Sequence, residues 1–118
     1  MSERDNSYSV ERRGDRQKVD LRIQVLYTKD GSPQSVYGRG SDLSERGIAV
    51  YAAADVNEGQ HVRVEFTLPY TRRQLLIEAV VRNKQGYRYG LEFLTLSSSQ
   101  RDDIKKLCQT ASIMNQAL

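Results

Sequence analysis

Val19-Asp20-Leu21-Arg22-Ile23-Gln24-Val25 sets an aliphatic residue at every second position and a polar one between each pair. Successive side chains of an extended chain point to opposite faces, so this stretch reads as a strand with one apolar and one wet face. The same period returns at Val62, Val64, Phe66 and Leu68, separated by Arg63, Glu65 and Thr67, and Pro69 ends that run. Between these strands, Lys29-Asp30-Gly31-Ser32-Pro33 has the composition of a turn that breaks any regular element. The segment from Ser35 to Asp42 then returns as a second strand, with Gly38 and Gly40 marking a bulge or a bend. Ile48 to Ala52 is a short third strand, followed by the turn Asp55-Val56-Asn57-Glu58-Gly59. Leu75 to Arg82 and Tyr87 to Leu94 are the fifth and sixth, joined by the loop Asn83-Lys84-Gln85-Gly86. Short strands with tight connections and no intervening helix predict an antiparallel barrel or sandwich, and closure of the sheet removes exposed edges.

The period changes after Leu96. Ser97 and Gln100 have the spacing of a capping box, with Asp102 and Asp103 expected in the first helical turn. Ile104, Leu107, Cys108, Ala111 and Met114 share one helical face, which predicts a C-terminal helix laid on the barrel. At the other end, Met1 to Lys18 is polar and charged, with Val10 the only aliphatic residue beyond Met1. Such a segment buries too little apolar surface to fold alone, so residues 1–18 are expected to form a flexible arm and residues 19–118 the folded domain.

With 118 residues the chain makes one domain. Its 18 Lys and Arg against 15 Asp and Glu leave a net charge of +3, which permits an anionic partner without demanding one. Cys108 is the single cysteine, which excludes an intrachain disulfide and a multi-cysteine metal site. His61, the single histidine, has no other metal ligands clustered near it and is expected at the surface. There is no recognisable nucleophile-base motif, so no enzyme and no metal or cofactor is expected. Neither a signal-peptide pattern nor an apolar run of about 20 residues is present, which leads to the expectation of a cytoplasmic protein without a membrane segment.

Two polar clusters interrupt this strand pattern. Asp42-Leu43-Ser44-Glu45-Arg46-Gly47 carries an acceptor, a hydroxyl and a glycine at i, i+2 and i+5. In an extended segment Asp42 and Ser44 share a face, and Gly47 allows a turn or a close approach to a ligand. Asp, Ser and Gly are also ordinary turn residues, so the stretch by itself reads equally as a turn. Upstream, Arg12-Arg13-Gly14-Asp15-Arg16 places arginines at i and i+4, with Asp15 between them.

In this order, ahead of the strand pattern and a helix, the two clusters resemble the PilZ domain, a bacterial receptor module for cyclic di-GMP. The similarity runs from about Glu11 to Cys108 and includes Glu58-Gly59 to Pro69 as the middle hairpin and Tyr89-Gly90-Leu91-Glu92-Phe93 as the last strand. The resemblance implies a six-stranded split β-barrel with a C-terminal helix, and a ligand site made of Arg12, Arg13, Arg16, Asp42, Ser44 and Gly47. It also singles out Tyr89, beside Gly90, as a residue to locate. The residue types suit that ligand: a guanidinium bonds phosphate or the guanine O6/N7 edge bidentately, or stacks on a base. A carboxylate accepts from the guanine N1–H and N2–H2 donors. The leading expectation is a stand-alone receptor that signals to an unidentified protein in trans through ordering of its arm, with no nucleic-acid partner. Two alternatives stay open: a small barrel that binds RNA or single-stranded DNA through basic and aromatic residues, and an adaptor of the same fold that binds no nucleotide.

Overall fold

Alternation in the sequence becomes six strands: β1 (Gln17–Lys29), β2 (Ser32–Leu43), β3 (Gly47–Ala52), β4 (His61–Thr67), β5 (Gln74–Gln85) and β6 (Arg88–Thr95). They precede one helix, α1 (Ser98–Ala117), in the computed structural model, which describes residues 16–117. Every neighbouring pair is antiparallel, and the sheet closes into a barrel in the order β1-β2-β3-β6-β5-β4. Closure is made by the two strands whose alternation is clearest, with Ile23 opposite Phe66 and Val25 opposite Val64. All four side chains are buried in the barrel core with Val50, Ile77 and Val81. Burial of each contributes about 1.5–3 kcal/mol, which makes this seam a principal source of stability.

Both outer hairpins are tighter than the composition suggests. Asp30 and Gly31 have φ of +53° and +79°, the left-handed pair of a two-residue type I′ turn, so β2 starts at Ser32. Pro33 therefore lies inside β2 and does not break it. It pairs with Thr28 on one side, while pairing with β3 begins only at Gly38, so the missing N–H falls where β2 is an edge. Asn83, Lys84 and Gln85, expected in a loop, extend β5, and the β5–β6 connection is only Gly86-Tyr87. Register shifts between Glu78 and Ala79 and between Val81 and Asn83 accompany the misreading, with Ala79 and Val81 in the barrel core and Val80 buried between them but not part of that core. A further shift between Gly40 and Asp42 is the bulge expected near Gly38 and Gly40.

At its start, β1 takes in Gln17 and Lys18, which sequence placed in the arm; they pair with Leu43 and Asp42. At the chain's other end the capping box forms as expected. Ser97 N–H donates to Gln100 Oε1 and Gln100 N–H to Ser97 Oγ, each at 3.0 Å. Asp102 and Asp103 do not lie in the first turn, since the helix begins at Ser98. Asp103 instead meets Arg73 Nη2 at 2.8 Å, an ion pair more than an aligned hydrogen bond, and Arg73 also donates to Ser99. Arg73 thus ties the β4–β5 loop to the helix. Ile104 and Leu107 are buried and Cys108 and Ala111 half-buried, but Met114 is 62% exposed. Met114 is turned about 80° from Ile104 around the helix, whereas Asn115, about 20° from it, still reaches β1, its Nδ2 3.5 Å from Gln17 Oε1 and from the Lys18 carbonyl oxygen. The helix is not long and apolar enough to cross a membrane.

Candidate functional site

β3 buries Ile48, Val50 and Ala52 in the barrel, so Gly47, Ala49 and Tyr51 face outward. Pairing carries that outer face across four strands in one row: Asp42 opposite Ala49, Ala49 opposite Gly90, and Gly90 opposite Asn83. The middle of the row carries only alanine and glycine, with polar side chains at both ends, and the Asn83 side chain lies over Gly90, where a Cβ would meet its Nδ2 at 2.6 Å. The result is an open cleft of about 380 Å³ with Gly47, Ala49 and Gly90 in its lining. Arg16, Arg46, Arg82 and Arg88 line it together with Asp42 and Glu92, an excess of two positive charges.

Among the residues singled out from sequence, Arg16, Asp42, Ser44 and Gly47 all line this one cleft. Arg12 and Arg13 lie outside the described residues. Asp42 Oδ2 is 3.3 Å from Arg88 Nη2 and accepts from Ser41 Oγ at 3.3 Å, while Lys18 Nζ stands 3.9 Å from Oδ1. Ser44 is buried, and its Oγ accepts the Arg46 N–H at 3.0 Å. Its own N–H donates to the Gly47 carbonyl at 3.0 Å, closing the β2–β3 connection. The hydroxyl therefore shapes the turn from within the cleft, and the turn reading and the site reading describe the same residue.

Gly47 is required for packing as well. A Cβ there would meet the Leu91 carbonyl oxygen at 2.1 Å and Glu92 Cα at 3.2 Å, so the close approach it permits is to β6. Gly47→Ala is expected to destabilise the protein by about 1–3 kcal/mol, as overpacking against backbone does. Chemical denaturation of the variant checks this, and an unchanged midpoint would remove the packing role.

Several cleft residues have no signal in the sequence. Arg88 is remote from Asp42 along the chain and opens β6 after a turn, so only the register of β2, β3 and β6 brings the two together. Arg82, paired with Glu92, and Asn83 come from the part of β5 that was read as a strand end and a loop. Tyr89, by contrast, points into the barrel, where its hydroxyl donates to the Ala54 carbonyl. Burial holds its phenol protonated above the usual range. His61 is exposed, and among the described residues no three His, Cys, Asp or Glu side chains are grouped to hold a metal. Cys108 lies half-buried behind the site with its Sγ 3.5 Å from the Leu43 carbonyl oxygen.

A family model of the PilZ domain matches residues 11–110. No curated protein matches the chain. Similar solved structures include the PilZ domain of CeSA from a cellulose-synthesising bacterium, with 22% identity, a TM-score of 0.62, and coverage of 80% of this chain and 95% of that one. The Bacillus subtilis inhibitor of motility, MotI/DgrA, shares 20% identity with a TM-score of 0.68 over 83% of this chain and 49% of its own. The PilZ domain of Escherichia coli YcgR, solved with c-di-GMP, shares 13% identity with a TM-score of 0.67 over 86% and 92% of the two chains. At these identities the likeness is one of fold.

Proposed function

The chain belongs to the PilZ domain family, and from that premise we propose that it is a receptor for cyclic di-GMP that passes its signal to a protein in trans. The observation that carries the proposal is the meeting of Arg16 with Asp42, Ser44 and Gly47 in one cleft with a net positive lining. Cyclic di-GMP is a dianion with two guanines. Arg16 supplies a fork for phosphate or for the O6/N7 edge of a base, and Arg12 and Arg13 would add to it from the preceding segment. Asp42 offers acceptors for the N1–H and N2–H2 donors of guanine, and Ser44 retains a hydroxyl proton to donate. Ala49, which carries only a methyl group, would leave room for a flat base between Asp42 and the Asn83 side chain that lies over Gly90. These groups bind and orient; the proposed role is recognition without catalysis.

Ligand gripped by Arg12 and Arg16 on one side and by Asp42 and Ser44 on the other would draw the N-terminal arm onto the barrel. Ordering of the arm opposes binding by about 2–5 kcal/mol and in return changes the shape and charge presented beside the cleft. That altered surface is the proposed contact for the protein target. Amide exchange around residues 12–16 is expected to be fast in the free protein and slowed at saturation with cyclic di-GMP. Equal protection in both states would remove this mechanism.

Exposed tyrosines favour one competing reading. Tyr37 and Tyr87 are each 73% exposed and, with Arg39, offer stacking and charge to a single-stranded nucleic acid. Salt separates the two. A polymer releases condensed counterions on binding, so its affinity falls steeply with salt, whereas a small dianion has no such atmosphere. Cyclic di-GMP binding is expected to weaken only moderately between low and physiological salt, with no tight oligonucleotide binding at the latter. Tight, steeply salt-dependent oligonucleotide binding without a response to cyclic di-GMP would reverse the assignment.

A further inference from the structure

We propose that Arg88 reads the same guanine as Asp42 and sets the preference of the cleft for guanine over adenine. This inference rests on the receptor reading above. Arg88 Nη2 lies 3.3 Å from Asp42 Oδ2, so a strong donor and a strong acceptor stand side by side in the lining of the cleft. The Arg88 side chain is one-third exposed, and its guanidinium carbon sits 6.0 Å from the centroid of the Tyr51 ring. The ring and the carboxylate restrain the guanidinium, which lowers the entropy lost when it engages a ligand. A guanidinium has five N–H donors, and the contact with Asp42 occupies Nη2, leaving others to face the cleft.

The chemistry of the two purines does the rest. Guanine presents two donors, N2–H2 and N1–H, directly beside the acceptor O6. An acceptor next to a donor, Asp42 next to Arg88, is the complement of that edge. Adenine presents the reverse order, an acceptor at N1 beside a donor at N6. Set against the same pair, adenine would place a ring lone pair against the carboxylate and an amino group against the guanidinium. Sites built to hydrogen-bond one pattern discriminate strongly against ligands that leave their polar groups unpaired.

The test titrates the full chain, Arg88→Gln and Arg88→Lys with cyclic di-GMP, its 6-thioguanine analogue and cyclic di-AMP. The thio analogue keeps both guanine donors and exchanges O6 for sulfur, a poorer acceptor. Thermal unfolding of each variant verifies folding, with Arg88→Lys retaining the charge should Arg88→Gln unfold. Arg88→Gln is expected to weaken cyclic di-GMP binding about tenfold or more, in line with loss of a charged hydrogen bond, and to narrow the gap to cyclic di-AMP. The affinity lost on thio substitution should be marked in the native protein and small in both variants, since lysine keeps charge without the planar fork. An equal thio penalty in all three proteins, with the native protein still binding cyclic di-GMP, overturns the inference and reduces Arg88 to a residue that positions Asp42. Absence of native binding to cyclic di-GMP overturns the receptor reading itself.

Discussion

Replacing Asp42 or Arg16 by Ala is expected to weaken cyclic di-GMP binding by about 1.5–3 kcal/mol each, tenfold or more, because each removes a charged hydrogen-bonding group from the ligand. The Asp42 change carries a second cost. Its carboxylate pairs with the partly buried Arg88 at 3.3 Å, and the change removes that partner as well. Asp20 is the control on the same hairpin. It pairs with Arg39 at 3.0 Å but its side chain is 75% exposed, and such surface pairs are worth at most about 1 kcal/mol. Asp20→Ala should therefore leave binding near the native value. Calorimetric titration of the variants checks the contrast, and losses of equal size at Asp20 and Asp42 would show that general charge, not the cleft, governs binding.

Ile104→Ala is expected to cost about 2–5 kcal/mol of folding stability, the range for truncating a large aliphatic side chain in a packed core. Ile104 is fully buried and, with Leu107, forms the seat of α1 on the barrel, while Arg73 and Asp103 tie the same end of the helix from outside. Met114, turned about 80° from Ile104 around the helix, is 62% exposed, so Met114→Ala should change stability by under about 0.5 kcal/mol. Denaturant unfolding of the two variants separates a helix held by the narrow face that carries Ile104 from one held equally by its flank. Comparable losses at both positions would contradict the packing described.

These two residues also show what local sequence can and cannot specify. The helical period marked Ile104, Leu107, Cys108 and Ala111, which are buried or half-buried, but the width of the seat depends on the tertiary fold, so the period could not say that Met114, at the edge of that face, is exposed. The barrel was legible because Val19 to Val25 and Val62 to Leu68 keep an unbroken period of two, and these strands pair directly. The β5–β6 hairpin was blurred because register shifts around Ala79 and Arg82 break that period while the strand continues. Pro33 misled for a related reason: a residue that disrupts a central strand is tolerated at an edge, and edges are defined by partners distant in sequence. At the candidate site, Asp42, Ser44 and Gly47 were visible because they act within one turn. Arg88 and Asn83 were not, because their place beside Asp42 and Gly90 is fixed by cross-strand register. For Gly47 the sequence suggested a turn or a close approach to a ligand, whereas the close approach in the structure is to the Leu91 carbonyl of β6, a partner distant in sequence.

The most direct measurement of the central claim is a titration of the isotopically labelled full chain with cyclic di-GMP, followed through its backbone amide resonances. The account predicts saturable shifts concentrated on the row from Asp42 through Ala49 and Gly90 to Asn83, extending to Arg16, Ser44, Gly47 and Arg88, with the β1–β4 seam unaffected. No saturable shift, or shifts centred on the opposite wall around Val25 and Val64, would contradict it.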